Sequence, residues 1–208
     1  AEVETLDNNG GGTLNVAAAS QVDSFPTCDR SGDDIAAILY TSGTTGRSKG
    51  AMLSHDNLAS NCLALRDYWR FGSNDTLLHA LPIFHTHGLF VATNVTLAAG
   101  AQMVFLPSFD IDQIIAALPR STVMMGVPTF YIRLLKETAF TRELTAHMRL
   151  FVSGSAPLSA DIHRAFHEHT GHMILERYGM TETNMNTSNP YDGDRRAGNR
   201  PGGTVGST

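Results

Sequence analysis

From Asp34 onward the chain alternates between short, wholly apolar runs and longer stretches whose apolar residues recur three or four apart. The runs at 35–40, 76–81, 101–106, 122–127, 149–153 and 173–177 predict strands buried on both faces, because a half-exposed strand would alternate polar and apolar residues. The stretches at 89–98, 110–118, 129–137 and 159–169 predict helices, as does the segment through Leu58, Leu63, Leu65 and Trp69, which Ser54 can cap. Strand and helix in steady alternation predict an α/β fold, a mostly parallel sheet layered with helices on both faces. Residues 1–34, with the turn cluster Asn8-Asn9-Gly10-Gly11-Gly12 and Pro26, predict an irregular N-terminal segment. Residues 35–190 form the predicted core. The pattern dissolves into turn residues after Tyr178, and 191–208 predict a turn-rich C-terminal segment.

Composition narrows the class. The 208 residues are 42% hydrophobic, enough for a substantial core, and only 17% charged, against about 25% in typical domains. Lys plus Arg total 15 against 20 for Asp plus Glu, a net charge of −5, which argues against nucleic acid as a partner. Cys28 and Cys62 have no metal-ligand spacing and make no disulfide framework, so the expected compartment is reducing and cytoplasmic. The longest apolar stretch, 89–101, is interrupted by Thr93, Asn94 and Thr96. It falls short of the ~20 residues a membrane span needs, and the acidic N-terminus has no signal-peptide pattern. No starting methionine is present, so the chain is expected to begin inside something longer.

The sharpest local feature is Tyr40-Thr41-Ser42-Gly43-Thr44-Thr45-Gly46-Arg47-Ser48-Lys49-Gly50, directly after a predicted strand. Glycines let the backbone approach an anion, successive N–H groups and hydroxyls donate to phosphate oxygens, and Lys49 adds a point charge. It is not the Walker pattern, because Gly50 rather than Ser or Thr follows the lysine. Two histidines in His85-Thr86-His87 supply too few ligands for zinc. His163, His167, Glu168, His169 and His172 lack the His-Glu-x-x-His pattern, because residue 171 is Gly, and read as an exposed helix end.

The loop resembles the signature loop of the adenylate-forming superfamily: acyl-CoA synthetases, firefly luciferase and the adenylation domains of peptide synthetases. Three further motifs agree in order and spacing. Pro82-Ile83-Phe84-His85-Thr86-His87-Gly88 resembles the family's Pro-x-x-His-x-x-Gly segment, and Ser153-Gly154-Ser155-Ala156-Pro157-Leu158 its Gly-rich adenine-side loop. Glu176-Arg177-Tyr178-Gly179-Met180-Thr181-Glu182 resembles its Tyr-Gly-x-Thr-Glu motif. The resemblance implies an incomplete part of the large N-terminal domain, without the small C-terminal lid and its adenylating lysine; neither Lys49 nor Lys136, the only lysines, matches that lysine. It implies that a carboxylate attacks the α-phosphate of ATP, giving an acyl-adenylate and pyrophosphate, and that the CoA thiol then displaces AMP. Thr41, Ser42, Gly43, Thr44, Thr45, Gly46 and Lys49 would cradle the β- and γ-phosphates. Glu182 would hold Mg²⁺, Thr181 would contact the α-phosphate, Tyr178 would stack on adenine with Ser155 and Ala156 on its other side, and His85 would gate the acid.

Two arginines bear on which acid that is. Arg133 falls one turn into a predicted helix, and Arg177 precedes the adenine tyrosine. A guanidinium offers a bidentate fork to a second carboxylate that must stay ionised. With His85 and the run 180–188, the pattern resembles the malonate-activating members of the superfamily, and Ser153 and Met180 join Arg133 and Arg177 as expected substrate contacts. Methylmalonate is a plausible second substrate. A ligase for another short acid, or a nucleotide-binding chain without turnover, are the alternatives.

Overall fold

A computed structural model describes residues 3–7, 9–41 and 48–192. The chain divides into two compact units, one up to Ser31 and the other from Gly32 onward. In the first, where the sequence predicts irregular chain, Thr13–Ala19 form a short helix (α1). Mutual hydrogen bonds between Thr5 and Thr13 fasten it.

The second unit holds a six-stranded sheet: β3 (Thr76–His79), β4 (Gln102–Phe105), β5 (Val123–Gly126), β6 (Leu150–Ser153), β7 (Leu175–Met180) and β8 (Asn184–Ser188), after β1 (Ile35–Thr41) and β2 (Lys49–Ser54), which form a separate pair. The order is β4-β3-β5-β6-β7-β8. The first five strands run parallel, as the apolar runs predict. Side chains one apart along each strand point to opposite faces and feed two cores. Leu77, Val123, Met125, Leu150, Val152 and Leu175 pack under α2 (His55–Tyr68) and the segment 87–98. Leu78, Met124, Phe151 and Ile174 pack under α4 (Ile111–Ala117), α5 (Pro128–Leu134) and α7 (Ala160–Thr170). A short α6 (Arg142–Thr145) precedes β6.

Three expectations need correction. β1 is not a buried parallel strand: it pairs antiparallel with β2, and Ile35, Ile38, Tyr40 and Met52 are exposed. The sequence hid β2 because Lys49 and Gly50 read as the end of the phosphate loop. After Tyr178 the chain does not dissolve but turns back as β8, antiparallel to β7. The stretch expected as one helix begins earlier, as a π-helical segment, His87–Thr93, that passes into α3 (Asn94–Ala98). The Ser54 cap is present as a full capping box with Asn57.

Of the histidines near α7, His163 and His172 are bound into the fold, while the end of the helix is exposed at His167, Glu168 and His169, as the sequence predicts. His163 is buried with Nε2 2.9 Å from the Ile174 carbonyl, His172 pairs with the Thr145 carbonyl at 2.8 Å, and His169 reaches the Phe140 carbonyl. Among the described residues no helix is long and apolar enough to cross a membrane.

One ion pair fastens the N-terminal ends of the strands. Arg149 donates to both oxygens of Asp75 at 2.6 Å and to the Trp69 carbonyl at 3.0 Å. Asp75 also accepts from the Gly72 N–H and the Thr122 hydroxyl. Burial alone would raise the Asp75 carboxyl, but these hydrogen bonds and the guanidinium charge outweigh it and hold the group below its ordinary value. The pair's stabilisation is therefore complete above the unfolded value near pH ~4 and is lost as pH falls through the lower folded value. Urea denaturation of Asp75→Asn at pH 7 should show a loss of about 2–3 kcal/mol, because a mostly buried guanidinium loses its counter-charge. The difference from the parent should shrink below pH ~4.

Candidate active site

Strand order reverses between β3, whose successor β4 lies on one side, and β5, which lies on the other. Open α/β sheets bind ligands at the carboxyl ends of strands near such a switch. A cleft of about 270 Å³ lies beyond the carboxyl ends of β3 and β6 and beside β7, lined by Thr41, His85, Thr86, His87, Ser155, Arg177, Gly179, Met180, Thr181, Glu182 and Met185. Parts of all four sequence motifs meet in it.

Each arrives by a different device. Thr41 ends β1 and pairs with Lys49 at the start of β2, so the strands that flank the phosphate loop run antiparallel. Ser42, Gly43, Thr44, Thr45 and Gly46 lie outside the described residues. Thr181 and Glu182 occupy the tip of the β7–β8 hairpin, closed by the Thr183 N–H on the Met180 carbonyl at 3.2 Å. Gly179 is needed there, since a Cβ would overlap the Asn184 carbonyl. Glu182 also borders a second cavity of about 460 Å³ beside α2.

The histidine segment follows β3. Gly88 packs so closely on the Pro82 carbonyl that a Cβ would overlap it. Its own carbonyl lies 2.9 Å from His79 Nε2 and accepts from the Thr93 hydroxyl at 2.9 Å. The His87 N–H donates to His85 Nδ1 at 3.2 Å, so a neutral His85 carries its proton on Nε2. His87 is buried, with Nε2 unpartnered and Nδ1 3.4 Å from the Ser155 hydroxyl.

Arg177 dominates the electrostatics. It is 3% exposed, and no ion pair reaches it among the described residues. Its strand neighbour Glu176 points the other way, accepts from the Leu158 N–H, and has its carboxyl raised by burial. The Arg177 Nη2 donates to the Ser155 hydroxyl at 3.4 Å, and Nε has no partner. Burial pulls the guanidinium down to about 10, still charged at neutral pH. Burial, then the Arg177 charge, lowers His85; the same causes, with His85 and His79, hold His87 well below its ordinary value. The cleft therefore presents one cation, two neutral imidazoles, hydroxyls and, at its mouth, one carboxylate.

The other expected residues divide. Met180 lines the cleft, and Tyr178 ends half-exposed on β7, its hydroxyl 3.6 Å from the Met180 sulfur. Ala156 and Lys49 are exposed but not on the lining. Ser153 is buried at the end of β6 with its hydroxyl unpartnered, outside the lining. Arg133 is not brought to Arg177: it is exposed on α5, its guanidinium 4.3 Å over the Phe109 ring. Sequence reasoning missed His87, Thr86 and Met185 as lining residues. The His-x-His spacing was visible, but the motif pattern drew attention to His85 alone.

Residues 3–208 match the model of a family described as AMP-binding enzyme. A malonate–CoA ligase of Arabidopsis thaliana is 39% identical over 198 residues, 86% of this chain and 33% of that protein. The ATP-bound MatB of Rhodopseudomonas palustris superposes with a TM-score of 0.89 at 68% identity, over 94% of this chain and 39% of that one. A malonyl-CoA ligase in a product complex with methylmalonyl-CoA and AMP superposes with a TM-score of 0.79 at 38% identity, over 87% of this chain and 39% of that one. The chain thus spans about a third of the length of the curated relatives it matches.

The protonation states admit a direct check. NMR titration should find the His87 ring neutral throughout pH 6–8. Because its folded value lies below the unfolded ~6.5, its contribution to stability is complete above that pH and lost as pH falls through the folded value. His87→Gln should flatten the acid limb of the stability profile.

Proposed function

Because the chain belongs to the AMP-binding enzyme family, we propose that it supplies the acid- and nucleotide-binding cleft of an ATP-dependent, AMP-forming acid–thiol ligase that joins malonate to CoA. The observation that carries this reading is Arg177, a buried guanidinium in a ligand cleft with no anion beside it among the described residues. An unpaired buried charge is costly and is best relieved by the ligand. Malonate has two carboxylates: one reacts, and the other stays ionised and needs a cation. Arg177 binds that distal carboxylate. A monocarboxylic acid would leave the cation unmatched.

The remaining residues then have distinct tasks. Neutral His85, carrying its proton on Nε2, donates to the acid without adding a second charge that would compete with Arg177. Thr41 and Lys49 anchor the phosphate loop, and Thr181 stands where an α-phosphate oxygen is to be held. Glu182 fits Mg²⁺, since that ion takes one or two carboxylates and draws its remaining ligands from phosphate and water; when bound, the metal would neutralise phosphate charge. The half-exposed Tyr178 ring offers a stacking face to adenine. Orientation and charge stabilisation are what this reaction most requires of the protein. Methylmalonate is accepted too, because one methyl group is weakly discriminated.

Isothermal titration of malonate into the full-length protein tests the reading. Arg177→Met should weaken binding about 10–100-fold, the value of a charge-assisted pair. Arg133→Met separates a one-arginine site from a two-arginine site: an unchanged affinity there leaves the distal carboxylate to Arg177 alone. Undiminished affinity in Arg177→Met would overturn the assignment.

A further inference from the structure

Directly after β6, Gly154 is buried, and its own backbone conformation does not require glycine. What requires it is space. A Cβ at Gly154 would overlap Cζ, Nε and Nη1 of Arg177, and those are its three nearest atoms. The guanidinium therefore lies flat against bare backbone. Ser155, the next residue, has φ 68°, in the left-handed region that side-chain-bearing residues adopt rarely and at some cost. That conformation brings its hydroxyl within 3.4 Å of both Arg177 Nη2 and His87 Nδ1. A strained residue beside a missing side chain, both directed at one cation, is the pattern of a preorganised binding group.

We propose that Gly154 and Ser155 are positioning residues for Arg177: the glycine leaves the slot in which the guanidinium plane lies, and the serine fixes one edge of it. The unoccupied donors are thereby turned toward a ligand carboxylate. Neither residue needs to touch the acid's distal carboxylate; both act through the arginine. The inference rests on the assignment of Arg177 as the carboxylate-binding group. An added methyl at Gly154 must displace the guanidinium, and a shift of about 1 Å suffices to lose most of a bidentate interaction.

The test is a double-mutant cycle read by isothermal titration of malonate into the full-length protein, with folding checked by circular dichroism. Gly154→Ala should weaken malonate about tenfold or more, while adding Gly154→Ala to Arg177→Met should change affinity less than twofold. An effect of Gly154→Ala within twofold of the parent, or one that persists undiminished in the Arg177→Met background, overturns the proposal. Ser155→Gly gives a second handle should Gly154→Ala fold poorly. It relieves the backbone strain, so it should raise the thermal midpoint and yet weaken malonate several-fold. A stabilised Ser155→Gly that binds malonate like the parent refutes the role of the serine. If Arg177→Met itself leaves malonate affinity intact, the site assignment falls and the proposal with it. Reduced affinity in Arg177→Met with an independent Gly154 effect overturns positioning alone.

Discussion

A guanidinium held out of water, with no carboxylate beside it among the described residues, constrains everything around it. Removing such a charge from solvent costs several kcal/mol, so a stable fold must compensate or leave room for a ligand to do so. The surroundings of Arg177 follow this logic. The two imidazoles closest in the electrostatic sense are pushed toward neutrality. The backbone at Gly154 is stripped of a side chain, and the Tyr131 hydroxyl is turned away onto the Val152 carbonyl at 2.6 Å. The charge survives because burial lowers its proton affinity only to about 10.

Such an arrangement needs a rigid frame, and the three-layer core supplies it. Cleft-lining residues come from the ends of β1, β6 and β7, from the turn after β3 and from a hairpin tip, while the strands are locked by apolar cores on both faces. At the opposite ends of the strands, the Asp75–Arg149 pair closes the sheet with hydrogen bonds at 2.6 Å. One arginine is satisfied inside the protein and secures the scaffold. The other faces the cleft with no ion-pair partner among the described residues. A rigid scaffold beside an unsatisfied polar group is the usual division between stability and function.

The sequence made the parallel strands legible because each is buried on both faces, and an unbroken apolar run has few other uses. It made α2 legible because Ser54, a good cap, stands just before the apolar positions Leu58, Leu63, Leu65 and Trp69. It did not reveal β2 or β8. The first opens with Lys49 and Gly50, which masked its short apolar run Ala51-Met52-Leu53; the second contains Asn184, Asn186 and Ser188 and has no apolar pattern; each pairs antiparallel with the strand before it. For the site, motif spacing brought Thr41, His85, Ser155, Arg177, Thr181 and Glu182 to one list, and the fold brings them to one cleft. Arg133 was expected to join Arg177, but position on a helix fixes no direction for a long side chain, and here its guanidinium lies over the Phe109 ring. The burial of Arg177 could not be read from its neighbours along the chain, since Glu176 looks like a ready partner until the strand pleat separates them.

The π-helical turn at His87–Thr93 carries a consequence for how sequences of this kind can vary in length. Such a turn holds one residue more than the α-helical turn it replaces. Deleting a single residue between Gly88 and Thr93 would leave a tighter turn that covers nearly the same angle, so α3 would keep its orientation. The local wall would change instead: the Gly88 carbonyl now meets both His79 Nε2 and the hydroxyl of Thr93, five residues on, and a shorter turn would break that arrangement. Length is therefore fixed here by the shape of the bulge: an alignment gap in this segment would mark a cleft with a different wall.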